Sequence, residues 1–256
     1  MQNTIIYEQP LNERMRNFLR LEHLFNHIEF RSQDTLEWDC RSTLESLLEI
    51  NDLLSRSDLK GELIKELERH SLMLTSLKDN PAVDENRLNS INNDICDLLI
   101  KLRDNGYQPG TQLKNDELVT SIKQRISIPG GTCSFDLPRF HYWLNQPGIT
   151  RKQDFIKWST DLEPIKKSIY IALDMVRNSA HPTKEKAETG FYQKPIESTL
   201  SCQLIRVFLP SVSRYYPEIS GGKHRFTIRF MEESTTDSRP TQAENDVDFK
   251  LQCCSL

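Results

Sequence analysis

One short stretch of the chain carries the side chains best suited to covalent chemistry. Residues 127–144, SIPGGTCSFDLPRFHYWL, contain Cys133, Asp136 and His141. A cysteine protease needs a thiol nucleophile, an imidazole base and a carboxylate that orients the base, but these groups are seldom so close in sequence. Pro138 also separates Cys133 from His141. A cysteine-dependent hydrolase or transferase using Cys133 and His141 is therefore the alternative hypothesis, not the leading one.

A structural corner accounts for more of the residues in this stretch than a phosphate-binding loop does. Gly130 and Gly131 lack the Walker spacing and its Lys-Ser/Thr pair. Instead, Pro129 is expected to end the preceding helix, the glycines to reverse the chain, and Ser134 or Asp136 to cap the next helix. The apolar residues expected to dock that helix on the core are Phe135, Leu137, Phe140 and Leu144.

The six cysteines do not form a metal-binding pattern. Because no C-x-x-C pair occurs, a structural zinc site is not expected. No cofactor is expected. Cys96 falls in an apolar helical stripe and Cys202 in a strand pattern, so both are predicted to be small buried hydrophobes. The N-terminus lacks the features of a signal peptide, and the apolar run at 169–176 is too short to span a bilayer. A cytoplasmic protein with reduced thiols and no membrane insertion is expected.

Basic residues are clustered although the net charge is -4. That net charge argues against nucleic-acid binding, and the clustering favours an acidic protein partner. Arg225 and Arg229 lie on one face of a predicted strand, roughly 13 Å apart. Their guanidinium groups could grip carboxylates bidentately, or they could belong to an ordinary solvated sheet face. The other two clusters are Arg14, Arg16 and Arg20, and Lys114, Lys123 and Arg125.

Helical periodicity dominates the first three quarters of the chain. Asp34 and Thr35 are predicted to start a helix that ends near Arg56, and Ser57 and Asp58 to cap the next one. A later helix has the clearest seam, which suits packing either within a bundle or against another subunit. That seam consists of Leu88, Ile91, Ile95, Leu98 and Leu102.

The apolar period changes to two after residue 195. FTIRF and residues 247–253 alternate as strands, and 199–209 is a third β-prone run. Together with the N-terminal TIIYE they predict a small antiparallel β domain, whereas SRYYPEISGGK and ESTTDSRPTQAEND are predicted to be loops. The fold class is α+β, with an α-helical domain at 11–185 and a β-strand domain formed by 1–10 and 195–256.

Six blocks occurring in order along the chain point to a known family. They are YEQPLNERMRNFLRLEHLF, QRISIPGGTCSFDLPRFHYWL, ALDMVRNSA, GFYQKP, YPEISGGKHRFTIRFM and DFKLQCC. They span nearly the whole chain, from Ile5 to Cys254, and together resemble the ZapD family, the Z-ring-associated protein D of bacterial cell division. No single block would identify the family by itself.

The resemblance implies a non-enzymatic, cytoplasmic homodimer located at midcell in the Z-ring. Members of the family bind the tubulin-like GTPase FtsZ through its short C-terminal tail and cross-link FtsZ filaments into bundles. By the resemblance, Arg20 and His141 belong to the tail-binding pocket, and Arg56, Arg225 and Arg229 take part in bundling. The family carries an arginine where this chain has Glu117, and Lys114 in the preceding turn is placed to compensate.

Overall fold

The computed structural model describes residues 4–32, 36–56, 58–78, 83–196, 202–222, 224–232 and 239–255. The chain divides into two compact units: Met1–Leu19 together with Leu173–Leu256, and Arg20–Ala172. We call the first the β-strand unit and the second the helical unit. Helices and antiparallel sheets occur in separate stretches of the chain, which confirms the predicted α+β class.

The helices are short to medium in length, and acidic caps begin several of them. Asp58 accepts a hydrogen bond from the Gly61 backbone N–H at 3.0 Å, as predicted, and Asp84 and Asp116 cap two further helices. The predicted starts at Asp34, Thr35 and Ser57 lie outside the described residues. The helices are α1 Glu13–Arg31, α2 Glu37–Arg56, α3 Leu59–Ser76, α4 Glu85–Arg103, α5 Thr111–Lys114, α6 Glu117–Arg125, α7 Pro138–Leu144, α8 Gly148–Ser159 and α9 Glu163–Arg177.

The predicted seam of α4 is used within the chain, where α4 packs against α3. Leu88, Ile95, Leu98 and Leu102 are buried, and Ile91 is half-buried. The predicted burial of Cys96 is wrong, because its neighbour Ile95 occupies the buried face. Cys96 lies about 100° further round the helix and is exposed. The apolar stripe in the sequence was therefore wider than the face that α4 buries.

The β-strand unit contains two antiparallel sheets around one apolar core. One sheet has the order β1-β4-β8-β2 and the other has the order β3-β6-β5, with β7 pairing to β6. The strands are β1 Thr4–Pro10, β2 Thr183–Ala187, β3 Phe191–Pro195, β4 Cys202–Pro210, β5 Tyr215–Gly221, β6 Arg225–Glu232, β7 Thr241–Gln242 and β8 Val247–Ser255. Residues from both sheets, among them Val207, Phe226, Ile228, Phe230 and Leu251, form the core.

The strand prediction missed β2, β3, β5 and the short β7, and the first three of these lie at the end of a sheet order. Residues 215–221, predicted as loop, form β5, whose Pro217 is tolerated because β5 lies at an edge. Residues 183–187 form β2, although TKEKA has no apolar alternation. Charged side chains are typical of an edge strand, since they discourage pairing with a further chain.

A group of charges in the β-strand unit joins residues far apart in sequence. The Glu8 carboxylate on β1 accepts hydrogen bonds from Arg177 at 2.9 and 2.7 Å, and lies 2.8 Å from the Nε atom of Arg206 on β4. Gln252 on β8 accepts from Arg206 at 3.0 Å and donates to the backbone oxygen of Arg177 at 2.6 Å. These contacts tie three strands to the C-terminal end of α9.

Candidate functional site

The corner at residues 127–137 is shaped by its two glycines. Gly130 has a φ of +71°, a conformation that favours glycine. A Cβ atom on Gly131 would lie 2.5 Å from the backbone oxygen of Arg125. Arg41 on α2 holds the corner by donating to the Thr132 backbone oxygen at 3.1 Å. The predicted structural corner is therefore present between α6 and α7.

The predicted cap of α7 is wrong. The N-cap position is Leu137, no side chain caps the helix, and Pro138 occupies its first turn. Pro138 has no backbone N–H to satisfy, which reduces the need for a capping side chain. Asp136 instead accepts from the Cys133 thiol at 3.4 Å. Of the four predicted docking residues, Leu137, Phe140 and Leu144 are buried, whereas Phe135 is 85% exposed and does not dock.

The corner does not assemble the thiol–imidazole pair that the alternative hypothesis requires. The Cys133 thiol donates to Asp136, and no hydrogen bond joins it to His141, although both residues lie in the described part of the chain. Without a base in hydrogen-bond contact, Cys133 lacks the activation that cysteine nucleophiles use. The geometry therefore does not favour a cysteine-dependent hydrolase or transferase.

Replacing Gly131 by alanine is expected to destabilise the corner by about 1–3 kcal/mol, because the new methyl group would collide with backbone. Gly106→Ala is the matched control in the same unit, since its Cβ would meet only Asp104 at 3.6 Å. Thermal unfolding followed by circular dichroism would measure both variants. Equal melting temperatures for Gly131→Ala and Gly106→Ala would contradict the expectation.

Two predicted site residues lie on elements next to the start of α6. Lys114 ends α5, its side chain is exposed, and α5 leads directly to α6, which begins at Glu117. His141 is exposed on α7, and Arg139 of the same helix lies 3.5 Å from the Glu117 carboxylate. Lys114 and the helix that carries His141 therefore both lie close to the start of α6.

Asp116, the N-cap residue of α6, is a half-buried acidic group in this region. Burial raises the pKa of its carboxyl, but the Trp158 indole and the backbone N–H groups of Val119 and Leu118 outweigh burial and hold the pKa below its usual range. Lys157 on α8 lies 3.8 Å from the same carboxylate. An open cavity of about 240 Å³ adjoins, and the side chains lining it include Asp116, Arg139, Tyr142, Trp143, Asp154 and Trp158.

Aromatic side chains of α7 and α8 pack against one another in a buried cluster. Trp143 lies 5.9 Å from Phe140, 5.5 Å from Phe155 and 5.5 Å from Trp158, measured between ring centroids. The Trp143 indole donates to Asp154 at 2.8 Å. Because these rings are buried, they hold α7 in place while His141 and Tyr142 point outward. The exposed residues of α7 are therefore carried by a helix whose other face is packed on aromatic rings.

Arg20 and Arg56 lie elsewhere in the helical unit, and no described contact links either to the start of α6. Arg20 is exposed on α1, and Arg56 is exposed in the last turn of α2. One turn before Arg56, Asp52 pairs with Lys123 of α6 at 2.6 Å. Neither Arg20 nor Arg56 forms an ion pair with any residue that the structure describes.

Arg225 and Arg229 share the exposed face of β6, as predicted. Phe226, Ile228 and Phe230 alternate with them and are buried. Because β6 lies between β3 and β5, both arginines are on the central strand of the sheet, with Arg225 at its first residue. Arg229 is opposite Phe191 on one side and Glu218 on the other. In the described part of the chain, neither guanidinium forms an ion pair within 4 Å.

Much of the basic charge noted in the sequence is neutralised within the fold. Arg16 pairs with Glu13, Lys123 with Asp52, and Arg125 with Asp136. Arg14 donates to Gln203 instead of remaining free. The clusters in the sequence therefore overestimate the charge available to a partner, and the exposed cations without an acidic partner are more informative.

Sequence reasoning missed Arg139 and Tyr142, which line the cavity beside His141. The signal was present, since both flank His141 directly in the segment DLPRFHYWL. Arg139 gains significance only through its contact with Glu117, which lies 22 positions away. That contact could not be read from a local pattern.

No helix within the described ranges is long and apolar enough to cross a membrane. Across those same ranges, no group of three or more His, Cys, Asp or Glu side chains is arranged to hold a metal ion.

The chain is similar to known proteins along its whole length. A family model described as "ZapD: Cell division protein" matches residues 19–229. The Cell division protein ZapD of Methylococcus capsulatus is 40% identical over 256 residues, covering 100% of each chain. The protein of the same name from Nitrosomonas europaea is 40% identical, covering 98% of this chain and 95% of its own. That of Klebsiella pneumoniae is 36% identical, covering 99% and 100%.

Proposed function

The chain belongs to the ZapD family of cell division proteins, and from this premise we propose that it binds FtsZ and cross-links FtsZ filaments into bundles. Its role in cell division follows from the family. The finer proposal is that it acts by binding and not by catalysis. In this proposal it is a cytoplasmic homodimer recruited to the Z-ring at midcell.

One observation carries the proposal: several exposed cations have no acidic partner among the described residues. Other arginines of the chain are paired, for example Arg31 with Asp39 and Arg41 with Glu37. A cation that is left unpaired on the surface can accept a carboxylate from another protein without first breaking an internal ion pair. The unpaired exposed cations that the proposal uses are Arg20, Arg56, Lys114, Arg225 and Arg229.

We assign two tasks to these residues. In the helical unit, Arg20, Lys114 and the exposed imidazole of His141 receive the C-terminal tail of FtsZ. Arg56, together with Arg225 and Arg229 on the β6 face, contacts filaments during bundling. Lys114 supplies the positive charge that the family places where this chain has Glu117.

Avidity explains how weak contacts would produce stable bundles. A short peptide that becomes ordered on binding is expected to bind one site with a dissociation constant of the order of micromolar. A dimer offers two sites and a filament offers many tails. Once one site is occupied, the second contact is effectively intramolecular, so bridges between filaments persist longer than any single contact.

Co-sedimentation with polymerised FtsZ tests the proposal. At low salt the protein should pellet with the filaments, and light scattering should rise as bundles form. Both signals should fall with added salt, because the screening length shortens from about 10 Å at 0.1 M to about 3 Å at 1 M. FtsZ without its nucleotide is the control for pelleting that does not depend on filaments. A protein that stays in the supernatant at low salt would show that the proposal is wrong.

A further inference from the structure

Two cysteines of the β-strand unit come together although they are far apart in sequence. Cys202 begins β4 and Cys253 lies in β8, the neighbouring antiparallel strand. The register pairs Cys202 with Ser255 but Leu204 with Cys254, so β4 contains one extra residue at this point. Such a bulge changes which side chains share a face of the sheet.

The bulge places both thiols on the core side of the sheet. Cys202 and Cys253 each pack against the apolar core of the β-strand unit, and each is half-buried. Because Cys202 lies opposite Ser255, it is the diagonal neighbour of Cys253, which is two positions earlier on the same face of β8. Diagonal neighbours on one face lie roughly 7–8 Å apart between their Cα atoms, so forming the bond requires a local movement of the backbone.

The surroundings make Cys253 the thiol that ionises first. The neighbouring Cys202 thiol lowers the pKa of Cys253; burial opposes this, and the charge of Lys194 adds to the lowering. The neighbouring Cys253 thiol, together with burial, raises the pKa of Cys202. Lys194 lies 3.6 Å from Glu185, so it belongs to the β-strand surface beside the thiols. The thiolate is the reactive form of cysteine.

We propose that Cys202 and Cys253 form a reversible disulfide, and that this end of the sheet is a site of oxidation by peroxides. The Cys253 thiolate attacks one oxygen of hydrogen peroxide, so that an S–O bond forms and the O–O bond breaks. The sulfur loses two electrons, and the departing hydroxide takes up a proton to become water. The sulfur of Cys202 then attacks the sulfenic acid, forming the S–S bond and releasing a second water that carries the Cys202 proton. A dithiol reductant restores both thiols.

The other cysteines provide internal comparisons. Cys254 is buried on the opposite side of β8, and burial raises its pKa to about 12. Cys40 is buried in the helical unit, Cys96 is exposed, and Cys133 donates to Asp136. None of these four shares a face of a sheet with another cysteine. The proposed chemistry is thus specific to one pair.

Peroxide treatment followed by thiol counting and peptide mapping tests the proposal. The reduced full-length protein should lose two of its six thiols. Trypsin should then yield residues 187–206 joined to 251–256, because the Lys194–Pro195 bond resists cleavage. The melting temperature of the oxidised protein should rise by several degrees, since the bond closes a long loop. A dithiol reductant should reverse all three changes.

Cysteine variants assign the bond, because Cys253 and Cys254 share one tryptic peptide. The cross-link should persist in Cys254→Ala and vanish in Cys202→Ser and Cys253→Ala. Cys202→Ala serves as a second variant should the serine impair folding. A protein that keeps all six thiols in excess peroxide would overturn the proposal. So would a cross-link that persists without Cys202 or that runs through Cys254.

Discussion

Replacing Arg225 and Arg229 together by glutamate is expected to reduce FtsZ bundling by about tenfold or more while leaving the β-strand unit folded. Both side chains are exposed on β6, and their replacement breaks no ion pair among the described residues. The apolar residues that alternate with them stay in the core. The loss should arise because carboxylates of FtsZ, which the arginines would attract, are repelled by the new glutamates.

A matched double variant separates this local effect from a change in net charge. Lys184 on β2 and Lys250 on β8 are exposed, directly opposite each other, and belong to the other sheet of the same unit. Lys184→Glu/Lys250→Glu therefore changes the charge by the same amount at a different surface. Light scattering and co-sedimentation should fall only for the arginine variant. Equal loss in both variants would mean that bundling depends on total charge, and unchanged bundling would make Arg225 and Arg229 an ordinary solvated face.

The parts of the fold that were predictable from the sequence are those in which local pattern and burial coincide. FTIRF alternates because one face of β6 meets the core, and the α4 seam recurs every three or four residues because α3 covers it. In β5 and β2, by contrast, Pro217 and the charges of TKEKA reflect a position at the edge of a sheet. Whether a strand lies at the edge of a sheet is decided by partner strands far away in the sequence, so a local sequence pattern does not predict it.

The residue types of the candidate site could be predicted from the sequence. Which of its basic residues remain without an acidic partner could not. Arg225 and Arg229 could be assigned to one exposed face because strand geometry alone determines that outcome. Whether a basic residue is available to a partner depends on tertiary neighbours. Arg125 looks free in the sequence yet lies 3.6 Å from Asp136 in the fold. Arg177 and Arg206 are likewise held by Glu8, which lies at the other end of the chain.

Replacing Glu117 by arginine is expected to strengthen binding of the FtsZ tail by about three- to tenfold. Glu117 is exposed at the start of α6, next to Lys114, and pairs at 3.5 Å with Arg139 on the helix that carries His141. The substitution removes a carboxylate that repels acidic groups of the tail, frees Arg139, and adds a cation. Fluorescence anisotropy with a labelled tail peptide would measure the change in dissociation constant.

Glu85→Arg is the matched control, because it changes the same residue type at the same position of a different helix. Glu85 begins α4 directly after the cap Asp84, as Glu117 begins α6 directly after the cap Asp116. Each substitution places a cation at a helix N-terminus and should cost about 0.3–1 kcal/mol of stability. Only Glu117→Arg should tighten tail binding. If both variants bind the tail equally, the charge at the start of α6 does not affect tail binding, and the contact lies with Arg20 or elsewhere. If Glu117→Arg binds more weakly, the tail does not present acidic groups to the start of α6.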